Sequence, residues 1–282
     1  MPAPSDLTTL ANAKAWLSGN PAIGSQDDAL LGRLITAASR FILGHLQRPT
    51  ILPRTVTELY DGNGATRMTL AQWPVSAVTA LAIDGNTVPA SNPAPTGSGY
   101  LLEAADGAPP GRPQVLYLVG YGFSNFAIGQ GFTRAYRNVS VTYTTGYQVT
   151  NEAAAVPGNP GPYTVAVQAP YGNWCQDAGV GYAAGGALTA VSGAPAAGQY
   201  AAAAGIYTFS GADAGRAVLI SYGFIPADLE QACVELVGER YRHKGRIGMA
   251  SESQGGHVST AFTQKDMHPF VAGLVEPYRR VF

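Results

Sequence analysis

The four histidines are the side chains with the widest chemical range in this 282-residue chain. Histidine acts as a metal ligand or general base when suitable partners lie nearby. His45 and His243 each fall at the predicted C-terminal end of a helix, where the helix dipole favours a cation. His257 and His268 have no acidic or cysteine partner at ligand spacing. The sequence therefore predicts structural histidines, with no metal site and no catalytic base.

The two cysteines give little indication of chemistry either. Cys175 and Cys233 do not form a C-x-x-C pair. Cys233 lies on the apolar face of a predicted helix and is interpreted as a small buried hydrophobe; a reactive thiol at either position stays open. Phosphate-loop, nucleophile-elbow, zinc-protease and dinucleotide-binding patterns are missing from the sequence. We expect a protein that is not an enzyme, with no catalytic or cofactor-binding residues and no cofactor.

Basic residues cluster near the end of one predicted helix, at Arg240, Arg242, Lys244 and Arg246. One interpretation is contact with DNA phosphates. Residues two positions apart do not share a helical face, however, and Glu235 and Glu239 precede the cluster. A solvated helix end, favoured by the helix dipole, is the preferred interpretation.

Composition narrows the class of protein. Charged residues make up 12% of the chain, the net charge is -1, and there are 35 glycines and 20 prolines. This composition favours short strands and many turns, and it gives no indication of a protein that coats nucleic acid. The first ten residues lack the basic and apolar regions of a signal peptide, and no stretch approaches about 20 apolar residues. We expect a soluble protein made in a cytoplasm-like compartment, without contact to a membrane.

Helical periodicity appears in three stretches and again near the end of the chain. A short helix is predicted after Ser5 and Asp6 as capping residues, ending near residue 19. A second is predicted over 25–48, with Ser25 as its cap. The third and clearest is predicted over 226–245, with Pro226 in its first turn. Helical spacing returns over 270–278, after a polar, Gly/Ser-rich segment that is predicted to be mobile.

Alternation with a period of two predicts strands between these helices. The turn signal at 61–64 predicts that the first two strands form a hairpin. Residues 139–147 are echoed at 218–224, and we interpret the nearly uncharged segment between them as an inserted β module. The predicted strands cover 55–60, 67–70, 75–83, 99–102, 115–119, 139–144, 163–168, 180–183, 187–191 and 205–209.

The order of these parts resembles the head–tail connector, or adaptor, proteins of long-tailed bacteriophages. Four groups of phrases carry the resemblance, and together they cover most of the chain outside the predicted insert. The insert itself departs from the simple family pattern; its phrases at 194–200, 205–209 and 212–215 are similar to a small β module of other phage structural proteins, and its role stays open. The four groups are 7–17 with 27–40; 60–64 with 73–75 and 81–85; 136–147; and 226–237 with 274–282.

The resemblance implies an α+β fold. Its centre is a helical connector core, formed by the long N-terminal and C-terminal helices, with a small antiparallel β portion and an inserted all-β module. The predicted organisation is connector core with helices and then strands (1–148), inserted β module (149–223), connector core with the long C-terminal helix and a linker (224–256), and docking arm (257–282).

The resemblance also implies a function. The chain would be a structural subunit of a ring of twelve copies under the phage portal. This ring would join the DNA-filled head to the tail and continue the DNA channel. Implied partners are the portal protein, the next neck or tail-completion protein, and DNA that passes through without sequence-specific binding. The implied location is the virion neck, after assembly in the host cytoplasm.

The residues expected to form these contacts lie on the helices and in the arm. The candidates for ring-forming contacts are Leu34, Phe41, Leu229, Leu236, Arg240 and Tyr241. The candidates for docking to the portal or a neighbour are Phe270, Leu274, Tyr278, Arg279, Arg280 and Phe282.

A different class of function stays open alongside this one. The chain is alternatively an accessory virion protein that binds a ligand or glycan through the β insert. Aromatic side chains of the insert would form a flat binding platform, although aromatic residues of a core or of turns explain the same pattern equally well. The residues concerned are Tyr163, Tyr171, Trp174, Tyr182 and Tyr200.

Overall fold

The computed structural model describes residues 5–18, 24–91, 98–120, 131–244, 251–254, 258–261 and 267–280, with the backbone alone over 251–261. The chain divides into two compact units. Met1–Thr50 with Ile225–Val281 is called the helical unit, and Ile51–Phe224 with Phe282 is called the β unit. Several predicted residues, namely Gly245, Arg246, His257 and Phe282, lie outside the described part of the chain.

The described ranges of the helical unit contain four α-helices. They are α1 (Leu10–Leu17), α2 (Asp28–His45), α3 (Ala227–His243) and α4 (Pro269–Val275). A 3-10 turn precedes α2 at Ser25–Asp27, and another follows α4 at Glu276–Tyr278. Two short strands, β15 (Ser251–Gln254) and β16 (Val258–Ala261), pair antiparallel in the segment that was predicted to be a mobile linker.

The cores of these helices follow the predicted periodicity. On α2 the buried side chains recur at helical spacing, with Leu31, Ile35 and Ile42 essentially inaccessible to solvent. On α3, Leu229 and Val237 are completely buried. The helices α1, α2 and α4 all pack against α3. Burial of each side chain of this size is worth about 1.5–3 kcal/mol, so α3 is held mainly by packing.

The helix ends differ from the prediction in their capping residues. The predicted caps Ser5 and Asp6 do not cap α1; the Oγ1 atom of Thr9 accepts from the backbone N–H of Asn12 at 3.2 Å. Pro226 precedes α3 as its N-cap residue rather than lying in the first turn. The helix predicted to reach residue 48 ends at His45, and Gln47 has a φ of 54°, the left-handed backbone typical of a helix C-terminus.

The β unit contains β1 (Arg54–Gly62), β2 (Arg67–Thr69), β3 (Val75–Ile83), β4 (Asn86–Val88), β5 (Gly99–Leu102), β6 (Val115–Val119), β7 (Ala135–Thr145), β8 (Gln148–Ala155), β9 (Thr164–Ala166), β10 (Gly172–Tyr182), β11 (Thr189–Ala190), β12 (Gln199–Ala203), β13 (Ile206–Phe209) and β14 (Ala217–Pro226). The last strand runs directly into α3. The strands form sheets in the orders β1-β7-β3-β4, β2-β6-β5, β10-β14-β8 and β11-β12-β13-β9.

The predicted hairpin between the first two strands is wrong. The strand β1 pairs antiparallel with β7, about eighty residues later in the sequence, and β2 pairs with β6. The turn at 61–64 therefore joins strands of two different sheets. The sequence interpretation also lacked β4, β8 and β12, because β8 and β12 carry runs of alanine, a residue that is depleted in strands.

Among the described residues of the β unit, two hydrophobic cores are found. The first contains Leu81, Leu116, Val141 and other buried residues between 68 and 143. The buried residues of the second lie between 156 and 222 and include Tyr207 and Tyr222. The segment interpreted as an insert therefore has a core of its own.

The ends of that segment also lie side by side. The strands β8 and β14 pair antiparallel, so that Gln148 and Gly223 are Cα partners. This is the geometry expected of a module inserted into a loop, because the parent chain continues from nearly the point at which it was interrupted. The domain boundaries proposed from the sequence stay a prediction.

The predicted fold class is wrong in its proportions. A helical connector core with a small β portion was expected, but strands cover more of the chain than helices do, and every regular element described between Arg54 and Phe209 is a strand. The error arose because three helices with clear periodicity were weighed above many short strands, each of which gives a weak signal. No helix in the described ranges is long and apolar enough to cross a membrane.

The packing around α3 predicts the effect of a single truncation. Replacing Leu229 by Ala removes a completely buried side chain, and we expect the free energy of unfolding to fall by about 2–5 kcal/mol. Denaturant unfolding followed by circular dichroism at 222 nm, which reports mainly on helices, measures the change. The matched control is Arg242→Ala on the exposed side of α3, for which we expect a change within about 0.5 kcal/mol. Equal losses in the two variants would contradict this view of the core.

Candidate interaction surfaces

Polar contacts inside the helical unit fix the positions of its helices. Glu230, on the buried side of α3, accepts hydrogen bonds from the hydroxyl of Thr8 at 3.0 Å and from the amide of Asn12 at 2.6 Å. The backbone N–H of Leu7 donates to the hydroxyl of Ser39 on α2 at 2.9 Å. The N-terminal segment is therefore bonded to both long helices, and their outer surfaces are held in place.

A second cluster joins the start of α2 to the end of α3. The Asp27 carboxylate accepts from the Tyr241 hydroxyl at 2.5 Å and from the Lys244 ammonium at 2.9 Å. These two hydrogen bonds lower the pKa of Asp27 below its ordinary value of 3.8. The contact with Asp27 in turn raises the pKa of Tyr241 and the pKa of Lys244.

The side of α2 turned away from the core forms a partly apolar, basic surface. Phe41 is 44% exposed, Leu34 is half-buried, and the side chains of Arg33 and Arg40 are exposed. We call this surface the α2 outer face; it comprises Leu30, Arg33, Leu34, Ala37, Arg40 and Phe41.

A groove of about 730 Å³ runs along one edge of the α2 outer face. One wall comes from Asp6 and from Leu10 of α1, and the other comes from α2. The α2 wall carries the small residues Ala29, Gly32 and Ala37, with Arg33 and Arg40 at its rim. The small side chains leave room for another backbone to approach closely.

The outer side of α3 is acidic and polar. We call it the α3 outer face; it comprises Gln231, Glu235, Glu239 and Arg242. Glu235 accepts a hydrogen bond from the Gln231 amide at 2.9 Å. Each of these side chains retains contact with solvent, whereas most of the rest of α3 is buried.

The residues predicted to form a ring are divided between core and surface. Leu229 and Leu236 are buried inside the helical unit, where they stabilise it. Tyr241 bonds to Asp27, and Arg240 is exposed at the end of α3. Leu34 and Phe41 lie on the α2 outer face. Their role in ring formation stays a prediction.

The residues predicted for docking are also in different environments. Phe270 is 54% exposed, whereas Tyr278 is buried and donates to Asp228 of α3 at 3.2 Å. Leu274 is half-buried, and Arg279 pairs with Glu276 at 3.3 Å. The backbone N–H of Arg280 donates to Leu46 at 3.0 Å. Their docking role stays a prediction, but α4 is packed onto α3 instead of extending from it.

The histidines make local contacts. The ring of His45 lies 3.4 Å from the Glu276 carboxylate at the end of α2. His268 caps α4, because its Nδ1 accepts from the N–H of Phe270 at 3.3 Å. His243 lies in the last turn of α3. Within the described ranges, no three histidine, cysteine or acidic residues are grouped so that they could hold a metal.

Both thiols are protonated at neutral pH. Burial raises the pKa of Cys175 to about 12 and the pKa of Cys233 to about 12. Cys233 lies at the contact between the two long helices, with its Sγ 3.4 Å from the hydroxyl of Ser39. Because the thiolate is the reactive form, neither site is suited to nucleophilic chemistry.

The aromatic residues of the insert do not form one platform. Tyr200 and Tyr207 donate to Asp177 at 2.6 and 3.0 Å, and Tyr182 donates to Asp213 at 2.7 Å. Trp174 and Tyr163 pack against the same core. These five side chains stabilise the second core of the β unit. They therefore fit the alternative explanation, in which the aromatic residues belong to a core.

Tyr171 is the exception among the predicted platform residues. It is 40% exposed, and its ring centroid lies 6.0 Å from that of Phe224, which in turn lies 5.9 Å from Tyr147. The three rings line a cavity of about 440 Å³ in the β unit, together with Glu103 and Asp106 among other residues. The size is within the range of small-ligand sites.

The Asp27 cluster predicts a pH-dependent stability. Because the folded-state pKa of Asp27 is lowered, its contribution to stability is present above the unfolded-state pKa and is lost as the pH falls through the folded-state value. We expect Asp27→Asn to melt at a lower temperature than the wild type at pH 7, and the difference to shrink below about pH 4. The control Glu239→Gln should show no such pH-dependent difference. A gap for Asp27→Asn that stays constant down to pH 2 would contradict the assignment.

Comparison with known proteins gives little further information. No protein-family model matches the chain, and no curated protein matches it. A solved structure described as "Neck of empty GTA particle computed with C6 symmetry" is similar to this chain, with a TM-score of 0.37 and 16% sequence identity over 98% of this chain and 91% of that chain. A TM-score below 0.5 does not establish a shared fold.

Proposed function

We propose that this chain is a structural subunit of a phage-type virion neck that assembles side by side with further copies of itself. The observation that carries the proposal is the α2 outer face. One side of α2 fills the core of the helical unit, while Leu34 and Phe41 give the opposite side an apolar surface that still contacts solvent. Aromatic and arginine side chains on such a surface are typical anchors of protein interfaces. The phrases that resemble head–tail connectors include both long helices.

In the finer form of the proposal, the copies close into a ring under the portal, and the ring joins head to tail and continues the DNA channel. A net charge of -1 suits a ring that surrounds DNA without gripping it. The partners are then the portal protein and the next neck or tail-completion protein. The location is the virion neck, following assembly in the cytoplasm of the host.

The proposal includes a structural rather than an enzymatic role. Side chains of types that often act in catalysis make structural contacts here. Cys233 of α3 contacts Ser39 of α2, His268 caps α4, and Asp27 at the start of α2 binds Tyr241 at the end of α3. Docking to the portal is assigned to exposed residues of α4 and of the turn that follows it, chiefly Phe270 and Arg279. Because Tyr278 is bonded to Asp228, α4 would be presented as a fixed element of the surface.

A second candidate function has one observation in its favour. The cavity lined by Tyr147, Tyr171 and Phe224 combines aromatic rings with acidic side chains, as sites for sugars and other small ligands do. This retains the alternative of a ligand- or glycan-binding accessory virion protein, but it moves the site from the predicted platform to this cavity.

The proposed function predicts assembly on the portal. When the chain is mixed with the portal protein of the same genome, negative-stain images should show rings stacked coaxially on portals. Phe41→Ser should raise the protein concentration needed for half-maximal assembly about tenfold or more, because it removes an exposed apolar anchor. Tyr136→Ser, which changes a tyrosine that is 80% exposed in the β unit, is the matched control. Wild-type monomers beside bare portals would contradict the proposed function.

The second candidate predicts binding in the β unit. A glycan array probed with the full chain should give a signal that Tyr171→Ala abolishes, because the exposed ring of the cavity is lost. Tyr117→Ala, at a tyrosine that is 37% exposed and does not line this cavity, is the control and should bind normally. An array without signal from the wild type would exclude glycans as the ligand.

A further inference from the structure

We propose that neighbouring copies of this chain join head to tail, with the α3 outer face of one copy packed into the groove along α2 of the next. This inference rests on the proposed function and deepens it. It names both halves of the contact between subunits and the residues that pair across it.

The first half of the contact is a groove whose exposed charges are arginines: of its two carboxylates, Asp28 is paired with Lys14 and Asp6 is buried. Arg33 and Arg40 are exposed at the rim, and neither has an ion-pair partner among the described residues. They are seven positions apart, which places their Cα atoms about 10.5 Å apart along the helix axis. Between them Thr36 and Ala37 line the wall, and Gly32 lies next to Arg33. A helix with an acidic outer side can approach closely here.

The second half is the acidic surface that this groove fits. Glu235 and Glu239 are about 6 Å apart along α3 and lie on one face, because they are four residues apart. Glu239 has no ion-pair partner among the described residues, and Glu235 is bonded only to the neutral Gln231 amide within them. Arginine side chains are long enough to reach both carboxylates from either edge of such a contact, and they bind carboxylates bidentately.

The proposed contact joins two different faces of the subunit. The helices α2 and α3 touch each other through Ser39 and Cys233, so that their outer faces belong to different sides of the same unit. A contact between two different faces is heterologous, and copies joined in this way form a ring if the rotation closes or a filament if it does not. The charges also oppose the wrong pairings, since basic face against basic face and acidic against acidic are both repulsive.

Apolar area would contribute to the same contact. Leu10, Ala29 and Ala37 give the groove an apolar lining. Phe41 and Leu34 lie beyond its edge on the α2 outer face, where they extend the apolar area that a neighbouring subunit can cover. The charged pairs then set direction and register, while burial of the apolar side chains supplies most of the affinity.

Charge reversal tests the pairing. We would measure assembly by sedimentation velocity over a concentration series, with and without the portal protein, for R33E/R40E and for E235K/E239K. Each variant alone should need a protein concentration about tenfold or more above that of the wild type, because one of its faces has the wrong sign. An equimolar mixture of the two variants should regain assembly, since each reversed face then meets a complementary one. Circular dichroism melts confirm that both variants are folded.

The matched control is R67E/R137E, which makes the same change in charge at exposed arginines of the β unit and should assemble as the wild type does. The inference is overturned if the wild type forms rings while both reversals also form them, or if the mixture fails to regain assembly. Loss of portal binding with unchanged self-assembly would assign the groove to the portal protein and likewise overturn it. Absence of wild-type rings, with and without portal, would contradict the proposed function itself.

Discussion

Burial of α3 is the constraint on which the helical unit depends. The helices α1 and α2 are far from α4 in the sequence. All three come together because each of them packs against α3. Burying a glutamate in that contact is costly unless its oxygens are bonded. Thr8 and Asn12 donate hydrogen bonds to the Glu230 carboxylate. These bonds hold the start of the chain against α3, which lies more than two hundred residues later in the sequence. The α2 outer face and the α3 outer face are therefore carried by helices whose positions are fixed by buried contacts.

The sequence was sufficient to predict the helices but not the sheets. Periodicity located α2 and α3 because their apolar residues recur over four or five turns, a signal that local sequence carries by itself. Partners in a sheet are not local. The turn signal at 61–64 predicts that the chain reverses direction, but it does not indicate that β1 pairs with β7. The strands β8 and β12 are rich in alanine, which is depleted in strands, and they form because they pair with β14 and β13. Residue propensity does not identify these partners.

The candidate surfaces were predictable in part for the same reason. Leu34 and Phe41 became interface candidates because the resemblance to head–tail connectors implies ring-forming helices, and the structure leaves both in contact with solvent. Leu229 and Leu236 show the same spacing but lie in the core, because a helix covered on several sides has few positions left for contacts with another protein. Which face is covered depends on tertiary packing, and the tail illustrates this again, since Tyr278 is used internally.

The pairing of Gln148 with Gly223 has a consequence for the history of the chain. Paired Cα atoms of neighbouring antiparallel strands are about 5 Å apart, so a short turn could replace everything between them without moving the flanking strands. A segment with its own core and with adjacent ends can be gained, lost or exchanged in a single recombination event. Proteins that share the flanking parts can therefore differ in this segment while the rest of the fold stays the same.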